Sequence, residues 1–217
     1  MLVSMLLSRF VTISNKRCIT LTLFAMRKLL VLLFAVFSFA TIRAQEHLAF
    51  KGVPIDGTLD TYVANMKKAG FTYLGNEDGI ALLQGDFAGF RNCKIGVVTL
   101  ESMDIVNRIS VLFDTHDNWS DLYDNYSSLK EMLTKKYGEY DECIEKFDGY
   151  EPRDDGMRMV CLCRDRCKYY TTWETDKGTI ELDIIKRSAR GLGGAVGLHY
   201  WDRINTDLVQ EKALEDL

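Results

Sequence analysis

Five cysteines follow residue 44, and three of them lie within seven residues, in the stretch CLCRDRC at 161–167. Cysteines at this density can bind a metal, form disulfides or act as a redox pair. Structural zinc sites usually present paired C-x₂₋₄-C knuckles or a knuckle with two histidines. Here the first spacing is a single residue, and His47, His116 and His199 stand far apart. We therefore predict neither a metal nor another cofactor.

A disulfide is the remaining chemistry for these thiols. A Cys161–Cys163 bridge is disfavoured, because such residues lie about 6.5–7 Å apart on a strand and point about 200° apart on a helix. Cys143 and Cys167 flank a turn-rich segment at 148–156. A bridge between them would close a loop of about 24 residues, worth roughly 3 kcal/mol. The sequence thus predicts a Cys143–Cys167 disulfide, and the other cysteines are interpreted as packing residues.

Other patterns give little support for catalysis or metal binding. Segment 114–118 (DTHDN) offers oxygen and imidazole ligands, but it lacks the spacing and glycine of an EF-hand, and helix capping explains its acids. There is no G-x-S-x-G nucleophile elbow, and the glycines at 191–194 lack the Lys-Ser/Thr of a phosphate-binding loop. We predict no catalytic residue, so an enzymatic role is disfavoured but stays open.

Aromatic side chains are concentrated near the C-terminus. Neighbouring residues of a strand face opposite sides of a sheet, so Tyr200 and Trp201 must point to opposite faces. One reading is a half-exposed edge residue. The other is a contact surface for a protein or glycan partner, for which Trp173, Tyr200 and Trp201 are the candidate residues.

The elements that position these residues follow from apolar periodicity. Helical spacing predicts helices at about 58–69 and 118–137, each ended by a glycine, and four short strand patterns follow each helix. We predict an α+β fold, with two helices packed on one face of an antiparallel sheet. The similar stretches KKAGFTY (67–73) and KKYGEY (135–140) suggest a tandem α-β₄ repeat with halves 56–114 and 117–202. Alternatively, Lys and Gly recur there because both suit helix C-termini.

The N-terminal sequence predicts the compartment. From Met26 the chain has a basic start, an apolar run and a small residue at Ala44, the layout of a secretory signal peptide. We predict a signal-peptide region at 1–44 with its true start at Met26, and a single α+β domain at 45–217. The alternative is an N-terminal anchor. We expect a periplasmic or secreted protein.

The charge of residues 45–217 excludes one class of partner. Residues 1–44 hold six of the 27 basic residues and none of the 31 acidic ones, which leaves 21 − 31 = −10. Such a charge repels nucleic-acid phosphates. No apolar stretch in residues 45–217 reaches the roughly 20 residues of a spanning helix. We expect no nucleic-acid partner and no membrane span in residues 45–217.

Five stretches carry a family resemblance across nearly all of residues 45–217: KGVPIDGTLDTYVANMKKAGFTYLG, GDFAGFRNCKIGVV, LKEMLTKKYGEYDECIEKF, CKYYTTWETDKGTIELDI and LHYWDRIN. Together they resemble a family of exported α+β proteins of Bacteroides and relatives, which implies export but no particular activity. At fold level, helix-then-four-strand units resemble those of the β-lactamase-inhibitor protein, which implies binding of another protein. We expect an exported, non-enzymatic, partner-binding protein of the periplasm or envelope. The alternative is a secreted hydrolase whose site is assembled only in three dimensions.

Overall fold

The computed structural model describes residues 46–77, 79–99, 103–187 and 191–215, all within the compact unit Gln45–Leu217. The expected signal-peptide region, with Met26 and Ala44, lies outside the described residues. The elements are β1 Ala49–Phe50, β2 Val53–Pro54, α1 Leu59–Lys68, β3 Thr72–Glu77, β4 Ile80–Phe87, β5 Phe90–Thr99, β6 Val106–His116, α2 Trp119–Tyr137, β7 Glu142–Phe147, α3 Asp155–Cys163, β8 Cys167–Thr175, β9 Gly178–Lys186, β10 Gly194–Asp202 and α4 Arg203–Glu215.

Eight of the strands form one antiparallel sheet. Their order is β3-β4-β5-β6-β10-β9-β8-β7, so the final strand β10 lies between β6 and β9. Ser110 of β6 pairs with His199 of β10, which in turn pairs with Glu181 of β9. The strands β1 and β2 form a separate two-stranded hairpin. Because β10 joins two meanders, residues about 90 positions apart in the chain become direct neighbours.

Side-chain caps fix where the helices begin. Thr58 and Asn118 accept hydrogen bonds from the backbone N–H groups of Thr61 and Asp121, which starts α1 and α2. The helix α2 ends at Gly138, whose φ of 93° suits a residue without a Cβ. Part of segment 114–118 therefore serves as a helix cap.

One face of the sheet packs against α1, α2 and α3. The apolar residues of these helices and the inward residues of the strands form a single buried cluster, which includes Met66, Leu122, Leu129, Met159, Leu83, Ile95, Ile109, Leu182 and Leu198. The strands β4, β5, β6, β8, β9 and β10 contribute alternate residues to this cluster, as expected for a sheet with one covered face. The helix α4 differs, because its buried residue is Asn205, whose amide donates to the carbonyls of Ile55 and Val106.

The α+β class and the antiparallel sheet are confirmed, whereas the prediction of two helices is wrong. Four helices occur in the described residues. Asp154 caps α3, and Met159 and Leu162 bury its apolar side, in a region where the sequence suggested a loop. The predicted tandem repeat is not matched either: α3 interrupts the second set of strands and α4 follows it, and neither has a counterpart between β3 and β6.

Candidate functional site

The sheet face opposite α1, α2 and α3, which we call the outer face, carries polar side chains on its central strands. Buried and partly exposed residues alternate along β9, along β6 from Asn107 to Phe113 and along β10 from Leu198 to Asp202. Ile109, Leu182 and Tyr200 are buried on the helix side. Their neighbours therefore point the other way. Six of these neighbours form what we call the outer-face cluster: Arg108, Ser110, Glu181, Asp183, His199 and Trp201.

A line of three side chains runs across the middle of the outer-face cluster. The Nδ1 atom of His199 lies 2.8 Å from the Ser110 hydroxyl, and its Nε2 atom lies 3.5 Å from Oδ1 of Asp183. Gly197 pairs with Asp183, and a Cβ at Gly197 would overlap both the Asp183 carboxylate and the His199 ring. The missing side chain at Gly197 is thus what permits this approach.

Two charged side chains of the cluster keep a buried atom without a hydrogen-bond partner among the described residues. These atoms are Nε of Arg108 and Oδ1 of Asp183. An unsatisfied buried polar atom costs about 1–3 kcal/mol. The side chains of His199 and Asp183 are 22% and 20% exposed, so the line is sheltered but within reach of a ligand. The outer face therefore retains unused hydrogen-bonding capacity.

Within the outer-face cluster, the cation of Arg108 lies over the aromatic ring of Trp201. The guanidinium carbon of Arg108 lies 4.4 Å from the centroid of the Trp201 ring, within cation–π distance. Burial lowers the pKa of Arg108, while the negative charge of Glu181 acts in the opposite direction. Burial raises the pKa of Glu181, and the charge of Asp183 raises it further against the favourable charges of His199 and Arg108. Burial therefore disfavours the charged forms of Arg108 and Glu181, whereas the attraction between the two side chains favours those forms.

A shallow hollow of about 440 Å³ adjoins the cluster on the β7 side. Its lining includes three carboxylates, Glu142, Glu181 and Asp183, against one lysine, Lys168, together with Tyr170. The Tyr170 hydroxyl donates to Glu142 at 2.6 Å, and this hydrogen bond raises the pKa of Tyr170 to about 12. The hollow therefore has an excess of negative charge and suits a cationic group.

The three aromatic residues predicted as contacts lie on opposite faces of the sheet. Trp173 and Tyr200 are 1% and 3% exposed and point toward the helices, so they are not surface residues. Trp173 donates its ring N–H to the Gly138 carbonyl, and Tyr200 packs against Phe50. Trp201 is half-buried on the outer face beside Arg108.

The strand register does not bring Cys143 and Cys167 together. Cys143 pairs with Thr171, whereas Cys167 pairs with Phe147, four residues further along β7. Four strand residues span about 13 Å, well beyond the roughly 7 Å that a disulfide can bridge. The reason is that the whole of β7 pairs with residues 167–172 of β8, while α3 takes up part of the intervening chain. No disulfide bond joins any two of the five cysteines of the described residues in this structure.

Cys161 and Cys163 lie on a helix, whereas Cys143 makes polar contacts. Cys161 and Cys163 lie on α3, where residues two apart point about 200° apart. The Sγ atom of Cys143 is 3.0 Å from the Lys130 ammonium and 3.4 Å from the Thr171 hydroxyl. CLCRDRC is thus the end of one helix and the start of a strand.

A second polar network anchors the chain near β1 and has a structural role. Asp202 is fully buried and accepts hydrogen bonds from the backbone N–H groups of Leu48 and Asn205. His47 contacts the same carboxylate at 3.0 Å. Because each donor belongs to the protein's own backbone or a neighbouring side chain, this network holds the segment before β1 against the end of β10.

Sequence reasoning missed Ser110, Asp183 and His199, which belong to three strands. The available signal was the alternation of polar and apolar residues within each strand, as in Arg108-Ile109-Ser110 and Glu181-Leu182-Asp183. That alternation predicts a polar face, but the pairing of β10 with both β6 and β9 decides which polar residues meet.

Within the part of the chain that the structure describes, no three His, Cys, Asp or Glu side chains are grouped as metal ligands. Among the helices of these same residues, none has the length and apolar character needed to cross a bilayer. Comparison with known proteins gives no match to a protein-family model, a curated protein or a solved structure.

Proposed function

We propose that this protein is exported to the periplasm or the cell exterior and binds a protein partner through the outer face of its sheet. The observation that carries this proposal is a pair of buried atoms on that face, Arg108 Nε and Asp183 Oδ1, which make no hydrogen bond within the described residues. A partner that hydrogen-bonds to them would remove a penalty that the free protein bears. The signal-peptide pattern supports the location.

The composition and order of the outer face support binding of a protein. Trp, Tyr and Arg dominate the energetics of protein interfaces, and the face presents Trp201, Tyr170 and Arg108. The stacking of Arg108 on Trp201 and the hydrogen bond from Tyr170 to Glu142 hold these side chains in place. Side chains that are ordered before binding lose less conformational entropy when the partner arrives.

Charge points to a partner with a basic surface. Residues 45–217 carry a formal charge of −10, and three of their carboxylates line the hollow beside the cluster against one lysine, Lys168. Such a field accelerates the approach of a cationic partner, and salt weakens this effect. A lysine or arginine side chain of the partner would fill the hollow and relieve the repulsion between Glu181 and Asp183.

The proposal is tested by quantitative affinity capture from the native cell envelope with the full chain and two variants. Trp201→Ala removes the aromatic anchor of the outer face, whereas Met132→Ala shortens an exposed side chain of α2 on the opposite side of the sheet. We expect Trp201→Ala to lose a basic protein that the wild type and Met132→Ala retain.

A purified pair then gives the decisive measurement. Binding measured by calorimetry should weaken on the order of tenfold or more in Trp201→Ala and should weaken as salt is raised. Equal affinity of both variants would refute the outer face as the binding surface. Binding of the wild type to a glycan array, with no protein captured from the envelope, would replace the protein partner by a carbohydrate.

A further inference from the structure

The line Ser110–His199–Asp183 places a hydroxyl, an imidazole and a carboxylate in the order of a nucleophile, its base and an orienting acid. The imidazole lies 2.8 Å from the hydroxyl and 3.5 Å from the carboxylate. Hydrogen-bond contact between nucleophile and base, with a third group behind the base, is the geometric signature of an activated serine.

We propose that Ser110 is a nucleophile that accepts the acyl group of an uncharged carboxylic ester bound at the outer face. This inference rests on the proposed function in one respect, namely that the outer face is the surface that receives a ligand. An uncharged ester suits the site because two carboxylates lie beside it: Glu181 pairs with His199, and Asp183 pairs with Gly197. Both would repel an anionic substrate.

His199 serves as the base through Nδ1, the atom that faces Ser110. A neutral imidazole carries its proton on one nitrogen and accepts on the other. The reaction therefore requires the tautomer with the proton on Nε2, directed at Asp183. Asp183 is a positioning residue: it favours this tautomer and stabilises the imidazolium that forms, and such contacts often shorten only when the substrate is bound.

Transfer of the acyl group to Ser110 and its hydrolysis require no oxidant or reductant. The Ser110 oxygen bonds to the ester carbonyl carbon while its proton moves to His199 Nδ1. The carbon–oxygen bond to the alcohol then breaks, and the alcohol leaves with the proton from His199. Water repeats the sequence at the acyl-serine, which releases a carboxylic acid and restores the hydroxyl.

The negative charge on the attacked carbonyl oxygen needs a hydrogen-bond donor. The strands β6 and β10 are interior strands whose backbone N–H groups face paired neighbours on both sides, so the donor must come from a side chain. Arg108 lies two residues before Ser110 on the same face, and its buried Nε has no partner among the described residues. Gly96, which pairs with Ser110 on β5, places no side chain beside the hydroxyl.

The test is labelling of the full-length protein with a fluorophosphonate probe, which reacts with activated serines, followed by peptide mapping. The variants are Ser110→Ala and His199→Gln, with Ser128→Ala as a matched control, since Ser128 is exposed on α2. We expect an adduct at Ser110 in the wild type and in Ser128→Ala, none in Ser110→Ala, and a labelling rate lowered about 100-fold in His199→Gln.

The role of Asp183 has its own readout. Hydrolysis of p-nitrophenyl acetate should depend on pH through the protonation of His199. Asp183→Asn should shift that pH profile as well as lower the rate, which a merely structural substitution would not do. Circular dichroism confirms that each variant is folded.

The absence of an adduct at Ser110 in the folded wild type would overturn the proposal, and so would an adduct that His199→Gln leaves unchanged. Either result would make the line an inert cross-strand hydrogen bond. The outcome is independent of partner capture, because the probe is small and needs no partner. Ser110 can therefore remain unlabelled while Trp201→Ala still abolishes partner binding. Equally, Ser110 can be labelled while Trp201→Ala leaves partner binding unchanged.

Discussion

The helix-covered face and the outer face of the sheet are built from the same strands but satisfy their side chains in different ways. On the covered face, Trp173 is 1% exposed and its ring N–H is bonded to Gly138. On the outer face, Trp201 is half-buried against Arg108, whose Nε has no partner among the described residues. Trp173 is thus fully hydrogen-bonded on the covered face, whereas Arg108 keeps a donor for a ligand on the outer face. Stability should therefore depend mainly on the first face and function on the second.

The largest expected effect compares the two tryptophans. Trp173→Ala should lower the free energy of unfolding by about 3–5 kcal/mol, because it leaves a cavity and an unpaired Gly138 carbonyl. Trp201→Ala should cost less than about 2 kcal/mol, since its ring is only partly buried. Urea denaturation measures both. Equal losses would mean that the outer face contributes to stability as much as the core does.

A smaller effect compares two glycines of β10. A methyl group at Gly194 would meet the side chains of Leu122 and Leu162 in the core, so Gly194→Ala should cost about 1–3 kcal/mol by overpacking. At Gly197 a methyl group would meet the Asp183 carboxylate and the His199 ring, two side chains that are partly exposed and can move toward solvent. Gly197→Ala should therefore cost less than about 1 kcal/mol yet separate Asp183 from His199. Thermal unfolding measures the first effect, and the loss of fluorophosphonate labelling at Ser110 measures the second.

The smallest effect is a pH dependence located on the outer face. Burial and then Asp183 raise the pKa of Glu181 in the folded protein, so the folded state holds the proton more tightly than the unfolded state. The resulting stabilisation is complete below the unfolded pKa, about 4.3, and is lost as the pH rises through the higher folded value. Relative to Glu181→Gln, the wild type should thus lose stability across this interval. Urea titrations at several pH values test it, and parallel curves would contradict the raised pKa.

The sequence allowed prediction of those features that depend on local pattern. Helices α1 and α2 follow from apolar spacing and from the caps Thr58 and Asn118. The helix α3 was missed because its nine residues are short and follow a turn-rich segment, and packing of Met159 and Leu162 decides its conformation. The Cys143–Cys167 disulfide depends on register, and the pairing of β7 with β8 places Cys167 opposite Phe147, four residues from Cys143.

The outer-face cluster lay beyond sequence reasoning for a related reason. Ser110 and His199 are 89 residues apart, and nothing in either segment indicates that β10 lies between β6 and β9. Single-strand alternation predicts a polar side for each strand. The identity of the neighbours across that side is a property of topology.

The central position of β10 has a consequence for how the chain reaches this structure. Until residues 194–202 are available, β6 and β9 are both open edges, with buried residues such as Ile109 and Leu182 incompletely covered. Strands with open edges are templates for wrong pairing and aggregation. A chain that emerges N-terminus first into an aqueous compartment therefore depends on its last strand to close the sheet. The interval before β10 is inserted is the stage at which a chaperone would protect this protein.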